Sequence, residues 1–287
     1  MAARWKRGGE CNGKGSYRGG ISTTLKRGIF VKNFSGIHPT ALIGDGVQIG
    51  KDVVIGPRSI IYDNVRIGDG CQVGADVILG EPSAAIYHNP GNYENPSLNI
   101  GASSIIRSGS ILYAGSTFGG RLETGHRVTI REGTSAGFNF RVGTLSDIQG
   151  DCQIGDYVRF HSNVHIGQKS RIGNYVWIFP YVVLTNDPHP PSETLLGVTV
   201  EDFAVIATMS VILPGVVVGQ DALVGAGSIV NKNVGKEDVV VGNPAKRVAS
   251  VRDIKSKQTG HNIYPWRDHF DRGMPWADIG YGRWSNE

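Results

Sequence analysis

From Ile37 onward an aliphatic residue recurs at every sixth position: Ile37, Ile43, Ile49, Ile55, Ile61, Ile67, Val73 and Leu79. The phase slips once, resumes at Ile100, and continues through Ile106, Leu112, Phe118, Thr124, Ile130, Ala136, Val142, Ile148, Ile154, Phe160, Ile166, Ile172, Ile178 and Leu184. After a second slip it returns at Val200, Ile206, Ile212, Val218 and Val224. Four residues after each aliphatic stands a small or β-branched residue, among them Ala41, Val47, Ser59, Cys71, Ser110, Val164 and Ser170. Glycine often follows the aliphatic directly, as in IGDGVQIGKDVVIG.

A period of six suits neither an amphipathic helix nor a long strand. It suits a short strand and a tight turn, three of which close one triangular coil. Coils of this kind stack by parallel strand pairing at about 4.8 Å, so that about 26 units make nearly nine coils and roughly 40 Å of prism. The aliphatic and the small residue point inward, and glycine is expected to ease the turn. The pattern therefore predicts an all-β solenoid of hexapeptide repeats. The two slips are loops leaving the prism, EPSAAIYHNPGNYENPSLN at 81–99 and TNDPHPPSETLLGVT at 185–199. Loops on a rigid scaffold are where function concentrates.

Three segments follow from this reading. Residues 1–36 form a basic, glycine-rich arm without hexads, and residues 37–247 form the solenoid. Residues 248–287 carry VASVRDIKSK, expected as a short helix, and an aromatic tail holding Trp266, Trp276 and Trp284, three of the five tryptophans. So apolar a tail is expected to pack on the prism or on a neighbouring subunit.

Composition changes the picture only slightly. The 41 glycines in 287 residues are about twice the usual share and belong to the repeat. No apolar run approaches the roughly 18 residues of a membrane span. The basic start lacks a following apolar segment, so no secretory signal is expected. Cys11, Cys71 and Cys152 are odd in number and widely spaced, which fits a reducing, cytoplasmic setting. Cys71 and Cys152 fall in the inward slot and are expected to pack. The net charge of +4 is mild, and no nucleic-acid motif accompanies it.

The hexads together with ILPGVVVGQDALVGAGSIVNKNV and the ending VVVGNPAKRV resemble the hexapeptide acyltransferases that use coenzyme A. The resemblance implies a left-handed β-helix, an acyl-CoA donor, no required metal, and a homotrimer with clefts between adjacent prisms. TNDPHP at 185–190 is similar both to nucleotide-sugar N-acyltransferases and to galactoside and xenobiotic O-acetyltransferases. On the latter pattern His189 matches the catalytic histidine. The first loop, opening with GEP, resembles that of UDP-N-acetylglucosamine acyltransferases that take acyl carrier protein, but their basic histidine falls near Gln168 here.

Acyl transfer to an amine or hydroxyl needs a base, and an imidazole has the right ordinary pKa. His161 and His165 flank inward Val164 beside Asn163, at outward positions expected on one short strand. His126 lies two coils earlier by the 18-residue period and is expected to line the same cleft. His165 and His189 are the leading bases, followed by His161. Asn163, Asn186 and Asp187 are candidates for orienting a base or holding sugar groups. From the resemblance, Ala207, Gly225 and Ala226 would let pantetheine lie against backbone, and Lys232, Lys246 and Arg247 would meet phosphates. The implied reaction is N-acylation of a nucleotide-linked amino sugar. Alternatives are O-acetylation, a carrier-protein donor, a non-catalytic scaffold, and a γ-type carbonic anhydrase-like zinc lyase. The lyases separate two ligands by 36 residues, a register that His126, His161 and His165 do not match.

Overall fold

The computed structural model describes residues 36–286. Apart from Gly36, the basic arm expected over 1–36 lies outside them. Before the terminal hairpin each strand is two to four residues long and pairs in parallel with its counterpart one coil away. Three sheets result, with ten, nine and eleven strands. We call them the first, second and third faces in the order the chain enters them, beginning with Leu42–Ile43, Gln48–Ile49 and Val54–Ile55. The expected triangular prism is present.

The sixth-position aliphatics form the central column, with Ile61, Leu79, Ile106, Ile148, Ile166, Ile178 and Val224 essentially sealed. Serine in the inward small slot does more than save space. Ser59, Ser110 and Ser146 are buried, and each hydroxyl donates to a carbonyl of the next coil, those of Gly74, Gly125 and His161, at 2.9–3.1 Å. Each also accepts an N–H from that coil, those of Val77, Val128 and Val164. The buried hydroxyl is thus satisfied as both donor and acceptor, which removes the penalty of hiding it. Cys71 and Cys152 occupy the same slot, fully buried, and burial pushes the Cys152 thiol up to about 11. Thiols so held behave as packing groups, as expected from their place in the repeat.

The turn differs from the expectation. Gly80 (φ 77°) excepted, the glycine after the aliphatic does not supply the left-handed residue. It lets successive coils approach: a Cβ on Gly56 would lie 2.5 Å from the Gly74 carbonyl oxygen, and one on Gly68 2.6 Å from the Ala102 nitrogen. The left-handed position falls two residues later and is filled mostly by other residues, including Asn64, Asn163, Tyr175 and Met209 (φ 61°). A side chain there costs on the order of 1 kcal/mol or more. Met209 is 65% exposed, so little packing offsets that cost. Met209→Gly is expected to raise stability by roughly 0.5–1 kcal/mol, the strain relieved less the entropy glycine adds to the unfolded chain. Urea unfolding of the two proteins measures it.

Both loops leave at the corner between the first and second faces. One follows Ile78–Glu81 and makes a helical turn at Ala85–His88 and a 3-10 turn at Pro90–Asn92. The other follows Val183–Leu184. At the far end the chain turns back as an antiparallel hairpin, Asp238–Gly242 with Ala245–Ser250, on the third face. The helix expected over VASVRDIKSK is reduced to one 3-10 turn, Val251–Asp253, because Ala245–Ser250 is drawn into this pairing. The aromatic tail packs on the prism. Trp266, Met274 and Trp276 join Phe203 and Val205 in a second buried cluster, against the left-handed ladder of Tyr157, Tyr175 and Phe203.

Candidate functional site

The repeat decides where each candidate side chain projects. The strand residue before each inward aliphatic points out of its face, because neighbouring residues alternate sides. On the first face this outward row includes Asp147, His165 and Val183, which are adjacent in register. His165 and His161 are not on one strand. His161 follows Arg159–Phe160 of the third face, and His165 opens His165–Ile166 of the first. The turn Ser162–Asn163 separates them, since four residues suffice to round a corner here.

His165 Nδ1 lies 3.2 Å from Asp147 Oδ2, with both side chains partly exposed. Gln149 Nε2 donates to the same oxygen at 2.5 Å. The bond from His165, then the one from Gln149, hold the Asp147 carboxyl below its usual range despite partial burial. An anchored carboxylate facing Nδ1 orients the ring and leaves Nε2 directed away from it, the arrangement of a base held by a third group. Sequence reasoning missed Asp147. Its signal was an acid 18 residues before a histidine, which is one coil.

The second loop begins one strand beyond His165. Asn186 packs beside Gly167, where an added Cβ would come within 3.1 Å of the Asn186 Cβ. Asp187 accepts from the His189 N–H at 3.0 Å and from the Ser192 N–H and hydroxyl. These bonds keep Asp187 ionised below its ordinary range, that of the Ser192 hydroxyl foremost, and shape the loop. The His189 side chain is exposed on it.

His161, Asn163 and His126 gather at the opposite edge of the first face, the corner with the third. Asn163 is the left-handed residue of its turn (φ 58°), and its N–H bonds the Thr144 carbonyl. The His126 N–H bonds Thr144 Oγ1, which places it at the same corner a coil below Thr144. His161 stacks on Phe179, with centroids 4.6 Å apart and planes at 16°, and faces Trp177 at 6.1 Å. Desolvation lowers its pKa. Stability from a histidine kept neutral is complete above the imidazole's unfolded value of about 6.5 and is lost as pH falls toward the folded one. His161→Phe, which keeps a flat ring on Phe179, should therefore change the melting temperature little at pH 8. At pH 5 it should melt above the wild type, as thermal scans at the two values will show.

The residues expected for coenzyme A lie toward the terminal coils. Gly225 has a packing duty of its own, since a Cβ there would come 2.5 Å from Val241 Cγ1 of the hairpin. Ala226 is exposed and Ala207 half-buried. Lys232, Lys246 and Arg247 line one cavity of about 410 Å³ with Asp238. Arg247 is held by Asp238 at 2.5 Å, whereas neither lysine forms an ion pair among the described residues. No three His, Cys, Asp or Glu side chains converge for a metal among the described residues. No helix among them is long and apolar enough to cross a membrane.

The fold is a parallel β-solenoid of hexapeptide repeats, consistent with the expected left-handed β-helix, and residues 46–81 match the family described as bacterial transferase hexapeptide (six repeats). The expected likeness to hexapeptide acyltransferases is borne out. The chain is 29% identical over 119 residues to galactoside O-acetyltransferase of Escherichia coli, covering 34% of this chain and 59% of that one. It is 36% identical over 93 residues to 2,3,4,5-tetrahydropyridine-2,6-dicarboxylate N-acetyltransferase of Staphylococcus aureus, covering 32% and 33%. Its fold matches the crystal structure of Arabidopsis UDP-N-acetylglucosamine acyltransferase with a TM-score of 0.50 at 20% identity, over 77% of this chain and 74% of that one. The chain thus spans little more than half, or less, of the curated relatives it matches.

Proposed function

We propose that the protein is an acyl-CoA-dependent acyltransferase that acylates the amino group of a nucleotide-linked sugar. The observation that carries this reading is the Asp147–His165 pair on the first face, one strand from the loop bearing Asn186, Asp187 and His189. His165 accepts the proton that the attacking amine must shed, and Asp147 stabilises the resulting imidazolium. Asn186, with Asn163 and His126 across the face, offers polar groups to the acceptor sugar. The lysine-lined cavity at the hairpin supplies Lys232 and Lys246 to the phosphates of the donor. Apart from Thr129, the outward row of the first face is otherwise apolar, with Ile60, Ile78 and Ile111 before the pair and Val183, Val211 and Ile229 after it. Such a row suits a homotrimer in which a neighbouring prism closes the cleft. Names of relatives that act on sugars and on an amine support the chemistry at both levels.

Thiol release from acetyl-CoA, measured against a panel of nucleotide-linked amino sugars and their hydroxyl counterparts, tests the assignment. Turnover only with amino acceptors is expected. Turnover only with hydroxyl acceptors would establish the O-acetyl reading in its place.

A further inference from the structure

A separate, half-enclosed site lies on the third face, away from the Asp147–His165 pair. A cavity of about 510 Å³ is framed by Arg121, Glu123, Arg141 and Tyr157 on the prism and by Gly273 to Pro275 of the tail. Its charges do not balance. Glu123 is the one carboxylate on the wall, and Arg107 already pairs with it at 2.9 Å while Arg141 reaches it at 3.4 Å. Arg121 has no carboxylate within ion-pair distance among the described residues and rests over Phe138 at 5.4 Å from the ring centre.

Arg159 adds a further guanidinium. It is 7% exposed, and its donors go to the carbonyls of Asn139, Val158 and Gly273, with no acid among its described partners. Asn139 and Gly273 line the cavity themselves. Burial, and then the neighbouring Arg141, pull its pKa down to about 10. Unbalanced guanidiniums in a half-enclosed space raise a strong positive potential, and desolvating them is costly until a counter-charge arrives. Their planar fork matches the oxygens of phosphate. The volume suits a small molecule. Tyr157, stacked on Tyr175 at 5.5 Å, makes a rigid flat wall.

We propose that this cavity binds a phosphate-bearing small molecule, gripped by Arg121 and Arg141 and capped by Gly273 to Pro275 of the tail. Because the ligand touches both prism and tail, its binding favours the docked tail by mass action. The occupant is a sugar phosphate or a nucleoside diphosphate, which share the recognised group.

The test is calorimetric titration of the full chain with inorganic phosphate, with a hexose phosphate and with a nucleoside diphosphate. Arg121→Ala and Arg141→Ala should each weaken phosphate binding at least about tenfold, the effect of losing a charge-assisted hydrogen bond. Arg66→Ala, on the second face, should leave it unchanged. Phosphate should also slow trypsin cleavage after Arg272, next to the cap. Tighter binding of the hexose phosphate identifies a sugar ligand, and tighter binding of the diphosphate a nucleotide. Equal affinity in the wild type and both cavity variants overturns the site. So does an equal loss in Arg66→Ala, or no binding of phosphate at millimolar concentration.

Discussion

His165→Ala should lower turnover by about 10²-fold or more, the loss expected when a general base is removed, with a much smaller change in KM. The ring is positioned by Asp147 at 3.2 Å, not by the acceptor, so its removal deletes proton transfer without emptying the cleft. Asp147→Asn keeps the shape and removes the charge that stabilises the imidazolium. It should cost less than His165→Ala, and the double variant should be no worse than His165→Ala alone, because the two side chains act as one unit. The pH behaviour follows from the sign of the carboxyl shift. Asp147 is held below its ordinary value, chiefly by His165, so the pairing is fully present above the normal carboxylate range. It is lost only as pH falls through the depressed value, and throughout neutral pH the base faces a charged partner. Steady-state kinetics with acetyl-CoA decide the matter. Full turnover in His165→Ala with loss in His189→Ala would move the base to the second loop. Full turnover in both would leave an acceptor amine that sheds its own proton.

The solenoid was legible because its core demands one residue type at one spacing. Every coil must fill the same column, so Ile61, Ile148 and Val224 solve one packing problem, and a linear count finds it. The loops were legible as breaks in that count. The site was only partly so. His165 projects outward by the repeat, but its partner sits 18 residues earlier. Asp147 becomes its neighbour only when the sequence is laid out three hexads to the row. The His161–His165 proximity was misread for the same reason: a spacing of four is a same-strand distance in a long strand and a corner in this fold. The turn chemistry was hidden because stacking tolerates Asn163, Tyr175 or Met209 in a left-handed position that local preference would assign to glycine.

The faces divide the work. The second is polar along its outward row until Val217, with Gln48, Arg66, Thr117, Gln153 and Arg171. The third is taken up by the tail over Trp177, Val205 and Leu223. The first keeps the histidine, the acid and the apolar row. A prism that has covered the apolar end of its third face with its own chain has the first face left for an acceptor, a donor or a second copy.

That covering depends on side chains, which makes Trp276→Ala the substitution with the largest expected effect on structure. Among the described residues, no backbone–backbone hydrogen bond joins 254–286 to the coils. What joins them is Trp266 Nε1 donating to the Phe203 carbonyl at 2.8 Å, the nearly buried Arg267–Asp221 ion pair, Arg159 on the Gly273 carbonyl, and the rings around Trp276. Trp276 is 0% exposed and packs against Tyr175, Tyr281 and Trp284 at 5.1–5.4 Å. Truncating such a side chain costs about 3–5 kcal/mol. In a globular core that loss would lower the stability of the whole. Here it falls on docking alone, because each coil is stabilised by its neighbours and not by the tail. The variant should therefore keep the far-ultraviolet circular dichroism of the wild type while its tryptophan emission moves to the red and trypsin cuts rapidly after Arg272 and Arg283. A single cooperative melt at a lower temperature, with β signal and fluorescence lost together, would show instead that tail and coils fold as one unit. Phe203 and Val205 would lie bare in the variant, so a rise in light scattering should accompany the detached tail.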